Sequence, residues 1–207
     1  MNEIITFSNI LKTVSTPATL EEAHGIIAKL EETLTQVGER GVGLSAIQIG
    51  IPKRIFILKR EHPNANKSMF DHFINPEIVE VEEEFVYSGE ACLSFPGVSK
   101  DTLRHKHYII KRGLFDGDEF REEVNYFYYS DNEEKPDNDI LAIAVQHEMD
   151  HLNGKVLPEY GMKTKKLEKN IKVGRNDPCP CGRKQADGTS IKYKKCCGKS
   201  TTPSLKA

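Results

Sequence analysis

The chain has 207 residues, 38% of them hydrophobic, and a formal net charge of −2; this length predicts one well-formed core and a small appendage. No apolar run approaches the roughly 20 residues that a membrane-spanning helix needs, and the start, MNEIITFSN, lacks the basic and apolar regions of a secretion signal. These features argue against a membrane or exported protein, and we expect a cytoplasmic one.

The charge is divided unevenly along the chain. Residues 163–207 carry 13 Lys and Arg against three acidic residues, a net charge of +10, whereas residues 1–162 carry a net charge of −12. This division predicts a domain boundary in the 160s. The basic C-terminal part points to a polyanionic partner.

The first predicted element is an amphipathic helix over residues 20–37, because a capping-box sequence at 19–22 is followed by apolar residues at helical spacing. Residues 41–50, GVGLSAIQIG, then form a glycine-rich segment without the Lys-Ser/Thr pair of a phosphate-binding loop. Two interpretations of this segment stay open. It is either a tight turn of small residues, or backbone that meets an extended ligand, with Gln48 supplying an amide donor.

Several strands are predicted in the middle of the chain. They are a buried strand over 54–58, a strand and turn over 73–76 and 78–81, and a hairpin of 107–115 and 119–129 around Asp116-Gly117. Polar loops are predicted at 61–68 and 130–138. The order helix, antiparallel strands, helix predicts an α+β fold, with antiparallel sheets packed around a central helix.

That central helix is predicted over residues 140–152, ILAIAVQHEMDHL, which contain no Gly or Pro. Asn138 or Asp139 would cap its start, and Asn153-Gly154 would close its end.

His147 and His151 lie one turn apart on one face of this helix and can bind a single cation. Glu148 can then reach a water on that cation and act as a general base. Two solvated histidines are the alternative for such a spacing. Five largely apolar residues precede the pair, however, and two buried imidazoles without partners would be costly.

Cys92, in the segment EACLS, is the one cysteine outside the C-terminal cluster. A lone cysteine is more often a small buried hydrophobic residue than a ligand. The predicted helix nevertheless offers only two ligands. A thiolate with two neutral imidazoles around a dication leaves a net charge near +1 and an open position for water.

The three segments GVGLSAIQ, EACLS and QHEMDH resemble the three motifs of the peptide deformylases, in that family's order and spacing, over about residues 1–165. The resemblance implies that Cys92, His147 and His151 hold a metal, Fe²⁺ in many members, with Zn²⁺, Ni²⁺ or Co²⁺ able to occupy the site. The substrate would be the N-formylmethionyl end of a nascent polypeptide, and the products formate and a free amino terminus.

The same resemblance implies the catalytic roles. Glu148 would take a proton from the metal-bound water and later pass it to the departing amine. The side chain of Gln48 and the backbone N–H of Leu93 would stabilise the oxyanion formed on the formyl carbon. Each such donor is typically worth about 3–4 kcal/mol in the transition state.

The helix face that carries the histidines continues back to Ala144 and Ile140. We expect these two residues to help line an apolar pocket for the methionine side chain, with Val42 and Gly43 pairing with the peptide backbone. Asp150 is either an anchor that orients a metal-binding side chain or a partner in an ordinary helix salt bridge.

Two residues depart from the family pattern. The family usually has Gly where this chain has Ala91, and Ala where it has Ser45. If position 91 requires a positive φ, alanine would cost about 1 kcal/mol or more there. The departure bears on the geometry of the loop and leaves the metal ligands unchanged.

The C-terminal segments 174–182 and 192–198 resemble the SEC-C zinc motif found at the C-terminus of SecA. Four thiolates suit a tetrahedral structural Zn²⁺: Cys179, Cys181, Cys196 and Cys197. Two disulfides or free thiols are the alternative. Fourteen residues separate the two cysteine pairs, where the family generally has eight, and we expect the insertion at 185–190 to form an extended loop.

The predicted organisation has four parts, which are a catalytic domain at 1–166, a linker at 167–173, a zinc module at 174–199 and a disordered tail at 200–207. With its charge of +10, the C-terminal part suggests docking on the ribosome or another partner of the translation machinery. Two other functions stay open: a zinc peptidase of the H-E-x-x-H type, and a non-catalytic, metal-stabilised binding protein.

Overall fold

The computed structural model describes residues 3–60, 69–130 and 136–159, together with Asn176, Thr189 and Lys192. The chain divides into two compact units, Met1–Met162 and Lys163–Ala207. Five predicted features lie outside the described residues: the loop at 61–68, the linker at 167–173, the four C-terminal cysteines, the extended loop at 185–190 apart from Thr189, and the tail at 200–207. Within the described part, each helix is too short or too polar to cross a lipid bilayer.

The first helix, α1, runs from Leu20 to Val37 and confirms the predicted range. Thr19 caps it, because its side chain accepts a hydrogen bond from the backbone N–H of Glu22 while the Glu22 carboxylate accepts one from the Thr19 N–H. This reciprocal pair satisfies two backbone donors that the first turn of a helix leaves unpaired.

The second helix, α2, spans Pro136–Leu152, so the prediction that Asn138 or Asp139 caps its start is wrong. Proline suits the first position of a helix, since the N–H that it lacks would have no partner there. Asp139 lies inside the first turns, and its carboxylate accepts a hydrogen bond of 2.7 Å from the backbone N–H of Ser130. The predicted end is confirmed, because Asn153 and Gly154 hydrogen-bond back to the last turn and Gly154 has a φ of 70°.

Within the described residues, five antiparallel strands form one sheet in sequence order, whereas more than one sheet was expected. They are β1 (Gly43–Ser45), β2 (Ile55–Arg60), β3 (Met69–Ala91), β4 (Ser99–Asp116) and β5 (Glu119–Tyr128). The predicted hairpin is confirmed, with Gly117 at a φ of 63° in the turn between β4 and β5. The α+β class is likewise confirmed.

The predicted break near residue 76 is wrong, because β3 continues through it as a bulged strand. Asn75 adopts a φ of 48°, and its side-chain amide makes two hydrogen bonds to the backbone of Ala18, at 2.8 and 2.9 Å. Asparagine tolerates this left-handed conformation better than most residues. The irregularity therefore bends one strand where the sequence suggested a turn between two.

The two helices cover opposite faces of the sheet at β2. Ile55 and Ile57 are buried in the cluster that includes α1, whereas Phe56 and Leu58 are buried in the cluster that includes α2. Side chains alternate between the faces of a strand, so a strand covered on both sides is apolar throughout. Each fully buried apolar side chain contributes about 1.5–3 kcal/mol. The second of these two clusters fixes α2, which carries the HEMDH motif, against the sheet.

Candidate active site

The structure brings Cys92 next to His147 and His151. Cys92 directly follows the end of β3, and the two histidines lie one turn apart on α2. One ligand atom from each of the three residues lies within 4.8 Å of the other two, and the Cys92 Sγ is 3.2 Å from the Nε2 of His151. All three residues are buried or half-buried.

These three side chains fit a metal ion. With metal–ligand distances of about 2.0–2.3 Å, two ligand atoms of a tetrahedral site lie roughly 3.5 Å apart, which is close to the observed separation of Sγ and Nε2. Burial, and then the charge of His147, hold the pKa of His151 well below its usual value, so its imidazole is neutral and able to bind a cation.

The ring of His147 is oriented by a buried carboxylate. Its Nδ1 lies 2.5 Å from the Oε1 of Glu90, which leaves Nε2 available on the side of Cys92. Burial alone would lower the pKa of His147, but the contacts with Cys92 and Glu90 outweigh it and raise that pKa well above its usual value. The same anionic surroundings that favour a proton on this ring would favour a metal cation.

Arg104, on β4, joins Glu90 to Asp150. Its Nη2 and Nε donate to the two oxygens of Glu90 at 2.5 and 2.8 Å, and its Nη1 donates to Asp150 at 2.5 Å. Thr102 adds a hydrogen bond of 2.6 Å to Glu90. Burial acts to raise the pKa of Glu90, but the hydrogen bonds from His147 and Arg104 outweigh it and lower that pKa to about 2. Glu90 is therefore a carboxylate at neutral pH.

Glu148 follows the first histidine and is also buried, with 3% of its surface exposed. Its Oε2 has no hydrogen-bond partner among the described residues, and burial raises its pKa to about 7. On β1, a Cβ added at Gly43 would lie 2.8 Å from the Oε1 of Glu148. A side chain at position 43 would therefore displace the Glu148 carboxylate, and glycine lets β1 lie this close to it.

Gln48 is held at the end of the short 3₁₀ helix Ala46–Ile49. Its Oε1 accepts hydrogen bonds from the backbone N–H and the hydroxyl of Ser45, at 2.8 and 3.0 Å. Its Nε2 donates to Ser94 at 3.1 Å and lies 3.9 Å from the Cys92 Sγ. The hydroxyl that distinguishes Ser45 from the usual alanine thus helps fix which way this amide points.

A cavity of about 280 Å³ opens beside these groups. Every residue predicted to contact the peptide lines it: Val42, Gly43, Ile140 and Ala144. Leu93, Gln48, Cys92, His147 and Glu148 also line it. His151 does not appear in the lining, and Asp150 reaches the site only through Arg104 and Glu90.

Several residues of the site were not predicted. Glu90 and Arg104 orient His147, Ser94 contacts Gln48, and Arg40 and Tyr87 line the cavity. The sequence held a signal for one of them. Arg104 is an even number of residues from the buried Tyr108 and Ile110, so it lies on the same, buried face of β4. Ala91 has no positive φ and pairs with Ser99 in regular strand geometry, so the expected strain does not arise. Of the residues near Ala91, Gly89 and Gly97 have a positive φ, of 77° and 79°.

Comparison with known sequences gives one consistent result. Residues 1–167 match the model of a family described as polypeptide deformylase. The peptide deformylase of Campylobacter jejuni subsp. jejuni is 34% identical over 140 residues, which are 67% of this chain and 71% of that protein.

Solved structures agree with the sequence comparison. A peptide deformylase from Thermotoga maritima aligns with a TM-score of 0.57 and 32% identity, over 77% of this chain and 96% of that one. A class I type b peptide deformylase from Acinetobacter baumannii, crystallised with Met-Ala-Ser, aligns with a TM-score of 0.58 and 27% identity, over 76% of this chain and 96% of that one.

Proposed function

This chain belongs to the polypeptide deformylase family of metallohydrolases, and we propose that it removes the formyl group from N-formylmethionyl ends of nascent polypeptides with the residues described above. The products are formate and a free amino terminus. The observation that carries the proposal is the convergence of Cys92, His147 and His151 beside a buried Glu148, at the wall of a cavity with apolar residues.

In this proposal Cys92, His147 and His151 hold the metal ion, which is Fe²⁺, Zn²⁺, Ni²⁺ or Co²⁺. When bound, the ion supplies Lewis-acid activation of water and of the formyl oxygen at neutral pH. Glu90 accepts a hydrogen bond from the Nδ1–H of His147, so that Nε2 is available to hold the ion. Arg104 and Asp150 hold Glu90 in that position, and loss of such a partner typically costs about 10- to 100-fold in metal affinity.

Glu148 is the proposed general base. Its unpaired Oε2 and its position on the cavity wall support a role in taking the proton from the attacking water and passing it to the departing amine. The Nε2 of Gln48, whose direction Ser45 fixes, and the backbone N–H of Leu93 donate to the oxyanion that forms on the formyl carbon.

The peptide is held by apolar and backbone contacts. Ile140 and Ala144 contact the methionine side chain, helped by Ile143, which also lines the cavity and is 4% exposed. Val42 and Gly43 pair with the peptide backbone along β1, which is an edge of the sheet. The Met-Ala-Ser in the Acinetobacter baumannii relative supports a peptide that continues past the methionine.

The mutation Glu148→Ala tests the base. We expect formate release from formyl-Met-Ala-Ser to fall by about 10²- to 10⁴-fold, because general acid–base catalysis contributes about that much. Metal content should be retained. Glu119→Ala, at an exposed position on β5, is the matched control and should keep its activity. If Glu148→Ala binds metal and keeps full activity, Glu148 is not the general base.

We also infer that residues 163–207 bind a partner and a structural Zn²⁺, from their sequence. Their net charge of +10 supports docking on the ribosome, and the C-terminal cysteines Cys179, Cys181, Cys196 and Cys197 support a structural Zn²⁺. Removal of residues 170–207 should weaken salt-sensitive cosedimentation with ribosomes and spare turnover of small peptides. Metal analysis should give two ions per full-length chain, one of them lost in Cys92→Ser. Unchanged cosedimentation would contradict the docking.

A further inference from the structure

Arg40 is a charged residue of the cavity to which the proposed mechanism gives no role. It ends the 3₁₀ helix Gly38–Arg40, three residues before β1 begins, and it is solvent-exposed. Among the described residues that line the cavity, it alone is both charged and exposed, since Glu90 and Glu148 are buried and His147 contacts Glu90. Its guanidinium has no ion pair or hydrogen bond within the described part of the chain.

The position of Arg40 follows the direction of the edge strand. Gly43 approaches Glu148, which marks the end of β1 near the metal ligands. Going back along the chain, Val42 still lines the cavity and Arg40 lines it two residues further on. An extended peptide advances about 3.3 Å per residue, as does the strand beside it. A peptide with its formyl end at the metal ligands would therefore bring its second and third residues toward Arg40.

We propose that Arg40 makes this site prefer formyl-methionyl peptides with Asp or Glu at the second or third position. This inference rests on the proposed function, because it assumes that the peptide runs along β1. The net charge of −12 over residues 1–162 acts against an acidic peptide from a distance. Charges more than about 8–10 Å away are largely screened at moderate salt, whereas a cation in contact with the peptide lies within that screening length. The preference therefore rests on the contact with Arg40.

The test compares peptides that differ in one charge. Formyl-Met-Ala-Asp-amide and formyl-Met-Ala-Asn-amide have nearly the same shape, and the terminal amide removes a carboxylate that Arg40 would otherwise attract. A second pair carries Asp or Asn at the second position. The ratio of kcat/KM for the acidic peptide to that for its neutral match should fall about two- to five-fold in Arg40→Gln, the range of an exposed ion pair. Arg121→Gln, at an exposed position on the opposite edge strand β5, should leave the ratio unchanged.

The outcomes separate the inference from the proposed function. A ratio that is equal in the wild type and in Arg40→Gln, for both peptide pairs, overturns the inference while formate release from the neutral peptides upholds the function. Failure of the wild type to release formate from the neutral peptides overturns the function itself. In Arg40→Glu the preference should reverse and favour formyl-Met-Ala-Lys-amide. Retention of the acidic preference in that variant also counts against Arg40.

Discussion

Two arginines on β4, Arg104 and Arg112, are equally well buried and have different partners. They are 3% and 6% exposed and lie on the same face of the strand. Arg104 donates to Glu90, which is 5% exposed, and to Asp150, whose side chain is 14% exposed. Arg112 donates to Glu123 on β5, whose side chain is 30% exposed, and its guanidinium lies 4.2 Å from the centre of the Phe73 ring.

The two arginines show how a buried charge that supports the active site differs from a buried charge that only stabilises the fold. Arg104 is one contact away from His147, through Glu90, so its loss would reach a proposed metal ligand. Arg112 joins β4 to β5 and to the carbonyl of His72, none of which contacts the cavity. Burial alone therefore does not mark a functional charge, and the identity of its partners does.

Replacing each arginine by methionine should give the largest difference between the two positions, both in stability and in bound metal. Arg104→Met removes the guanidinium that pairs with the buried carboxylate of Glu90 and with the half-buried carboxylate of Asp150, and we expect about 3–5 kcal/mol less stability together with loss of bound metal. Arg112→Met should cost about 1–3 kcal/mol and keep full activity per bound metal, because water can solvate Glu123. Urea unfolding and metal content of the purified variants check both.

A second variant covers the case in which Arg104→Met does not fold. Arg104→Lys retains the charge but cannot bridge two carboxylates with a planar fork, so it should fold and still bind metal more weakly than Arg112→Lys. Equal metal affinity in the two lysine variants would contradict the distinction between the two arginines.

The mutation Glu90→Gln should have the next largest effect. The amide keeps the shape of the side chain but is a weaker acceptor for the Nδ1–H of His147, so affinity for Co²⁺ or Zn²⁺ should fall about 10- to 100-fold. Glu123→Gln removes the carboxylate beside the other arginine and should leave metal affinity unchanged. Competition with a chelating dye measures both affinities. The same loss in both variants would mean that Glu90 acts through general stability.

The smallest effect concerns the acid stability of the Arg112 pair. Burial acts to raise the pKa of Glu123, but the hydrogen bonds from Arg112 and Asn125 outweigh it and lower that pKa below its usual value of 4.5. A carboxylate with a lowered folded pKa stabilises the fold above its usual pKa and loses that contribution as the pH falls through the lowered value. Glu123→Gln should therefore be less stable than wild type at about pH 6, and the gap should close toward about pH 3. Urea midpoints that keep a constant gap would refute this.

Local patterns made much of the fold predictable. The spacing of apolar residues after Thr19 predicted α1, and Asp116-Gly117 between alternating strands predicted the β4–β5 hairpin. Such features depend on neighbours within a few residues. The continuity of β3 through Asn75 was not predictable in this way, because the Asn75 side chain is held by Ala18, 57 residues away in sequence.

The residues of the site likewise divide into those predictable from local sequence and those that depend on long-range contacts. His147, Glu148 and His151 share one helix turn, so their proximity follows from helix geometry. The bridge from Glu90 through Arg104 to Asp150 joins three separate elements, and its geometry depends on the register of β3 with β4 and on the docking of α2. A single sequence fixes neither of these long-range relations. Cys92 lies far from the helix in sequence; it was a candidate ligand because the helix offers only two ligands and no other cysteine lies outside the C-terminal cluster, and the resemblance to a known family supported that assignment.

Because a different helix covers each face of β2, the two faces of this strand are buried at different times during synthesis. The α1 side of the strand can be covered as soon as residue 60 has left the ribosome, whereas Phe56 and Leu58 must wait for α2. At 5–20 residues per second, the intervening ~90 residues take roughly 5–20 s to appear. For that interval the growing chain presents a half-covered apolar strand to its surroundings. A chain that would deformylate other nascent polypeptides therefore exposes part of its own hydrophobic core while it is being synthesised.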